Sequence, residues 1–283
     1  MHRVRTGLGV LAAATTLLTA GLVMPAPASA AAAVGACYDY PIATLEKGSS
    51  DTAPIDCAGP HTAETWFVGT LPESFGLPSK ASATLRLAAG RPCTVAAMNA
   101  FLGMPDRKLP SRFIPVALLP TDAQWATGDR WVRCDAVLQS GLALQPITGT
   151  APAFVAATPQ EVLNFCTPLT PSAKSKWAVQ CTNPKKNWIK VLDQELGGPT
   201  AKFPGESTVL RRSATICQKI AKQYNGKATF PGWWRINPTA AGWKQGKRAV
   251  QCFVPYSQYL AEIAQNTPAP APAPTEPAPA PTA

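Results

Sequence analysis

The sequence predicts an α+β protein: two tandem disulfide-stapled modules, each a small antiparallel sheet with one packed helix. Three observations predict it. The chain contains an internal repeat, its eight cysteines divide equally between the two copies, and short strand-like runs surround one helix-periodic segment in each copy.

The repeat is clearest near the end of each copy. Pro120 to Cys134 reads PTDAQWATGDRWVRC and Pro238 to Cys252 reads PTAAGWKQGKRAVQC, with eight identities in fifteen positions. The shared pattern is P-T-x-A-x-W-x-x-G-x-R-x-V-x-C. Cys37, Cys57, Cys93 and Cys134 then correspond to Cys166, Cys181, Cys217 and Cys252, and the second and third cysteines are 36 residues apart in both copies. Cys57-x-x-Pro60 likewise matches Cys181-x-x-Pro184. These correspondences describe a duplication with a boundary between Thr148 and Thr158.

The elements follow in order. Leu210, Ala214, Cys217, Ala221 and Tyr224 step by four, three, four and three, as one face of a helix does, with Gly226 placed for a C-terminal cap. The equivalent first-copy helix surrounds Ala96 to Phe101, between Pro92 and Gly103. Strand-like runs cover Thr65 to Leu71, Trp131 to Leu138, Trp188 to Leu192 and Ala249 to Val254. Gly128 and Gly246, each six residues before a cysteine, read as turn residues that launch the last strand.

The two ends lie outside this pattern. Residues 1–30 read as a signal peptide: His2, Arg3 and Arg5 form a positive n-region, Gly7 to Met24 an uncharged apolar stretch, and Ala28-Ser29-Ala30 a small-residue cleavage site. An uncleaved anchor is the alternative, but the apolar run is at the lower limit for spanning and is followed by Pro25 and Pro27. Val34-Gly35-Ala36-Cys37 loosely resembles a lipidation box, yet the repeat partner of Cys37 is an ordinary mid-chain cysteine. Residues 267–283 alternate Pro and Ala, a composition that cannot bury apolar surface and favours extended geometry. The organisation is therefore a signal peptide over 1–30, a first module over 31–150, a second over 151–266 and a disordered tail over 267–283. No stable transmembrane anchor is expected.

An even number of cysteines in an exported chain reads as a disulfide framework. Four cysteines per module allow three pairings, of which first-to-second and third-to-fourth is preferred: Cys37–Cys57 and Cys93–Cys134, with their repeat equivalents. No C-x-x-C pair exists and His61 is the one histidine beyond the leader, so neither a metal nor a cofactor is expected. The same scarcity leaves a hydrolase one candidate base, and the His61–Glu64 pair reads as structural. No pair of acidic residues has a spacing that marks a glycosidase, so no catalytic set is assigned.

Charge separates the copies. From Ala31 to Thr150 nine Lys/Arg stand against ten Asp/Glu, whereas from Ala151 to Asn266 fifteen stand against five. A basic second module points to an anionic envelope polymer or lipid headgroups; the exported compartment argues against nucleic acid. The candidate binding residues are the basic aromatic runs: Lys185, Lys186, Trp188 and Lys190, and Trp233, Trp234 and Arg235, which follow Phe230 and Pro231. Trp125 and Trp243, shared by the copies, are expected in the core, and Arg130 and Arg248 are expected to brace the fold.

A first cysteine in a short strand, then C-x-x-P-H-x-x-E, a helix cysteine and a closing W-x-x-G-x-R-x-V-x-C resemble the septum formation domain family of exported actinobacterial proteins. The matching residues are Cys37, Cys57, Pro60, His61, Glu64, Cys93, Trp125, Gly128, Arg130, Val132 and Cys134. The second copy keeps Cys166, Cys181, Pro184, Cys217, Trp243, Gly246, Arg248, Val250 and Cys252. It departs at the P-H-x-x-E element, where Lys185 takes the place of the histidine and Trp188 falls near that of the glutamate. The resemblance implies two tandem copies of the domain in a septum- or division-associated envelope protein. A non-catalytic binding role is the leading expectation, with a wall hydrolase using acidic residues or His61 as the alternative.

Overall fold

The computed structural model describes residues 32–168, 178–225 and 232–266. The expected signal peptide, Gly226, Phe230, Pro231 and the Pro/Ala-rich tail fall outside the described residues. The described chain is α+β, with two antiparallel sheets built in sequence.

The first sheet contains β1 (Cys37–Tyr38), β2 (Ala63–Thr70), β3 (Phe113–Leu118) and β4 (Trp131–Ser140) in the order β1-β2-β4-β3, and β5 (Ala143–Leu144) pairs with the end of β4. The second contains β6 (Cys166–Pro168), β7 (Asn187–Glu195), β8 (Trp234–Ile236) and β9 (Ala249–Pro255) in the order β6-β7-β9-β8. The registers agree as well as the orders. Phe67 lies opposite Cys134 and Leu192 opposite Cys252, and each second strand bulges just before that pair, at Thr65/Phe67 and Lys190/Leu192.

Short helices connect and cover the sheets: α1 (Ala43–Lys47), α2 (Ala83–Ala89), α3 (Val95–Phe101), α4 (Asp122–Ala126), α5 (Ala151–Ala157), α6 (Gln160–Leu163), α7 (Glu206–Asn225), α8 (Ala240–Lys244) and α9 (Tyr256–Asn266). The repeated signature folds the same way twice. Thr121 and Thr239 cap α4 and α8 by accepting the N–H groups of Gln124 and Gly242. One turn on, Trp125 and Trp243 are buried. Gly128 and Gly246 then reverse the chain at φ 105° and 82°, a region that glycine alone enters without strain. Arg130 and Arg248 return over the indoles, 3.9 and 5.7 Å from the ring centres.

The disulfides are Cys37–Cys57, Cys93–Cys134, Cys166–Cys181 and Cys217–Cys252. Two expectations about helices need correction. Leu210 is 45% exposed: the buried line of α7 keeps Cys217 and Ala221 as read, but runs through Val209 and Ser213 in place of Leu210 and Ala214. Cys93 lies in the turn between α2 and α3 rather than in a helix, since Thr94 caps α3 immediately after it. The sheets also carry more than one helix each, with α7 and α9 both packed on the second.

In the first sheet one face packs Met98, Leu102, Phe113, Ala136 and Leu138, and this core extends into the connection through Ala151, Val155 and Leu163. On the other face a polar cluster is sealed in. Tyr40 Oη (3.0 Å), Thr65 Oγ1 (2.5 Å) and Arg133 Nε (3.0 Å) all donate to the Asp135 carboxylate. The second sheet places Lys190 and Phe253 at the registers of Thr65 and Asp135, and that face is aromatic.

Replacing Cys217 and Cys252 together by alanine opens a loop of 35 residues. Chain entropy alone sets the expected loss at about 4 kcal/mol, to be read from urea unfolding without reductant. A loss under ~1 kcal/mol would show that α7 is held on β9 by packing rather than by the cystine.

Candidate functional site

A concavity lies where the two halves meet. It is a cleft of about 680 Å³ lined from the first half by Thr84, Leu87, Ala88 and Arg91 and from the second by Glu195 to Thr200, Lys244, Gly246 and Arg248. Local sequence explains each wall. Helix α2 is capped by Ser82 and leaves Leu87 40% exposed on its outer side. The α8–β9 turn approaches so closely that a Cβ on Gly246 would lie 2.5 Å from Leu87 Cδ2. Glycine is favoured there by its positive φ of 82°, and any larger residue would also have to displace the Leu87 side chain. On the floor, Leu196 is buried and its N–H donates to Arg248 O at 3.1 Å.

Three cations and one acid face this cleft. Lys244 and Arg91 are exposed and Arg248 is half-buried. Arg248 Nε has no hydrogen-bond partner among the described residues. Glu195 senses Arg248 electrostatically, yet burial and the neighbouring Asp193 leave its carboxyl above the ordinary carboxylate range. No ion pair joins Glu195 to Arg248 among the described residues. Such a cleft is chemically suited to hold an anionic oxygen in place, with Thr84 and Thr200 hydroxyls nearby.

The basic aromatic residues singled out from the sequence do not assemble into one surface. Lys185 and Lys186 are exposed on the turn before β7. Trp188 is buried, and so is Lys190, whose Nζ sits 2.8 Å from Asp193 Oδ2 and 3.9 Å above the Phe165 ring. Burial pushes the Lys190 pKa down, with Asp193 opposing it. These two are corrected from ligand contacts to core. Trp234 packs half-buried on Phe253, ring centres 4.9 Å apart, on the same sheet face. Trp233 belongs to the opposite face, half-buried against the α7 core, with Arg235 5.2 Å from its ring centre and bonded to Asn237 Oδ1 at 3.2 Å. The cleft residues Arg91, Gly198, Lys244 and Arg248 were not picked out as a site from the sequence. They lie in three separate segments, and the contact between the halves brings Arg91 to the other three.

The expected His61–Glu64 partnership also differs. His61 is completely buried, its Nδ1 3.0 Å from Gly59 O and its Nε2 without a partner among the described residues. Glu64 instead accepts the N–H of Ala151, the first residue of α5. Cys37, His61 and Glu64 converge within 4.8 Å, but Cys37 is oxidised to Cys57, so two ligand atoms remain rather than three. In the second sheet the residue opposite the first cysteine is Ile189, as Glu64 is opposite Cys37. The glutamate position is therefore Ile189, not Trp188, because the turn before β7 is one residue longer.

Residues 79–252 match the septum formation family, over a span that begins after β1 and β2, in the turn before α2, and runs to the last cysteine. Comparison with curated proteins and with solved structures returned no match. Among the described residues no helix is long and apolar enough to cross a membrane.

Burial raises the Glu64 carboxyl above its ordinary range, and the Ala151 N–H and His61 oppose the shift. The folded chain thus holds this proton more tightly than the unfolded chain does. Its contribution favours folding at acid pH and is lost as pH rises through the raised folded value. Gln at this position keeps an acceptor for Ala151 and cannot titrate. Urea midpoints taken upward from about pH 4 should show the natural chain losing stability relative to Glu64→Gln. Parallel profiles would mean that Glu64 does not titrate differently in the two states.

Proposed function

The chain belongs to the septum formation family, and from that premise we propose that it is an exported, non-catalytic envelope protein of the division machinery whose basic second half binds an anionic envelope polymer. The observation that carries this reading is the placement of charge. Arg211, Arg212, Lys219 and Lys222 are exposed along α7, and Lys244 and Lys247 on the α8–β9 turn, while Glu206 is the one acid on α7. A one-signed surface of this kind concentrates polyanions and weakens with salt.

Two further features support it. Four closed disulfides fit an oxidising, extracytoplasmic compartment. The shared strand order, bulge position and capped Trp helix support reading the halves as two copies of one module that differ in charge. A wall hydrolase built on His61 is disfavoured, because that imidazole is sealed from any polymer. Lipid headgroups and a division protein are the competing partners.

The test is co-sedimentation of the full chain with isolated envelope, with the supernatant assayed for released wall fragments. Pelleting at ~50 mM salt that is lost at ~500 mM, without fragments, is the expected result. Release of fragments that follows added protein would replace the binding reading with the hydrolase. Pelleting indifferent to salt would point to a protein partner held by apolar contact, and retention on anionic vesicles equal to that on lipid-free wall would point to headgroups.

A further inference from the structure

The two halves place the same arginine over the same tryptophan, and the difference between the two sites identifies a ligand group. In the first half Arg130 is fully engaged. Its Nε and Nη2 donate to the two carboxylate oxygens of Glu73 at 2.9 and 3.1 Å, and Nη1 donates to Trp125 O and Asp129 O at 2.7 and 2.8 Å. This is two-pronged recognition of a carboxylate.

The strand register locates the corresponding position in the second half. Phe67 and Leu192 are equivalent opposite the last cysteines, so Leu71 corresponds to Leu196. The hydrogen bonds agree: Leu71 N–H donates to Arg130 O, as Leu196 N–H donates to Arg248 O. Counted two residues on from this shared bond, past the end of the paired strands, Gly198 falls where Glu73 stands. The second half therefore keeps the guanidinium and lacks its carboxylate, and Gly198 lies on the cleft wall with Arg248, Arg91 and Lys244.

We propose that the cleft between the halves is a carboxylate-binding site in which Arg248, flanked by Arg91 and Lys244, grips an acidic sugar of an envelope glycan at the place that Glu73 fills in the first half. This rests on the proposed binding of an anionic envelope polymer and narrows it to a carboxylate-bearing glycan. The volume of about 680 Å³ accommodates a short oligosaccharide, and the Thr84 and Thr200 hydroxyls line it. Glu195 sets a limit on the ligand: it sits in the same cleft and repels a second anionic group placed near it.

The decisive variant restores the missing acid. A Cβ at Gly198 meets no atom within 4 Å, and Gly198 is not among the residues of positive φ, so Gly198→Glu is sterically free. The probe is an oligogalacturonate, with its methyl ester as the uncharged control and poly-L-glutamate as the acidic peptide control, titrated into the full chain. The natural chain should bind the acid form and not the ester. Gly198→Glu and Arg91→Ala should each weaken binding about tenfold, the loss expected for a hydrogen bond to a charged group, with thermal melting unchanged. Arg248→Ala should weaken it as much, but its packing on Trp243 is also at stake, so the first two variants are the ones that decide between binding and no binding in the cleft.

Full binding by Gly198→Glu, or equal binding of the ester, overturns the cleft. If the α7 pair Arg211→Ala and Arg212→Ala then abolishes envelope retention, the general binding reading stands and only the cleft has failed. If the natural chain pellets with envelope but ignores oligogalacturonate, the sugar acid assignment is wrong. Tighter binding of poly-L-glutamate assigns the cleft to an acidic protein segment instead.

Discussion

The arrangement of the two halves depends on one buried guanidinium. Arg112, at the start of β3, is completely buried and has no carboxylate beside it. Its Nε and Nη2 donate to Val162 O at 3.1 and 2.9 Å, and its Nη1 to Gln139 O at 3.0 Å and Gln145 Oε1 at 2.9 Å. Burial pushes its pKa down, which measures what desolvation costs, and four hydrogen bonds offset that cost. Val162 belongs to α6, the last helix before the second sheet. The charge is thus solvated by carbonyls of both the first sheet and the connection. Arg112 N–H to Leu163 O and Glu64 to the start of α5 add two further ties. Together these bonds hold residues 151–163 against the first sheet, so that β6 leaves from a fixed point and the α8–β9 turn reaches α2.

On that frame the same strand register supports opposite interiors. The first sheet seals Asp135 among Tyr40, Thr65 and Arg133, with the Arg133 guanidinium 3.7 Å above the Tyr38 ring. Burial raises both Asp135 and Tyr40, the signs of a desolvated cluster whose partners must all be present at once. The second sheet replaces the pair with Lys190 and Phe253 and covers them with Phe165, Trp188 and Trp234. Hydrogen-bonded backbone and cystines fix the topology, and the residues that fill each face are left free to diverge.

This division explains what was legible in the sequence. The signature PTxAxWxxGxRxVxC carries its own local chemistry of cap, anchor and glycine turn, and it folds as read. The sequence left three cysteine pairings open within each module, and the preferred one is the one that forms; the four longer strand runs showed their pattern. Strands β1, β6 and β8 span two or three residues, too few for any period to appear. The α7 face was misjudged at Leu210 because Ser213, a polar residue, is the one that faces the core. Trp188 and Lys190 looked like a basic aromatic ligand surface, but Asp193, three residues along the strand, and Phe165, from the preceding one, take up the lysine. The excess of cations in the second half was plain in composition. The cleft was not, since Gly198 gains meaning only when register sets it against Glu73.

The energetics of that substitution are one-sided. The Glu73 side chain is 80% exposed in its pair with Arg130, and an exposed ion pair contributes about 0–1 kcal/mol to folding even when it is well aligned. A copy that loses such an acid gives up little stability, because the guanidinium keeps its place over the indole and Trp243 keeps its own anchor, Nε1 to Ala201 O at 2.7 Å. What changes is the state of the arginine, from a donor already satisfied within the chain to one whose Nε lacks an acceptor. An unsatisfied charged donor in a recess is a poor structural element and a strong binding one, because the desolvation that costs folding has been met before a ligand arrives. The first half thus holds the closed version of the arrangement, and the second, with Arg91 across the cleft, the open one.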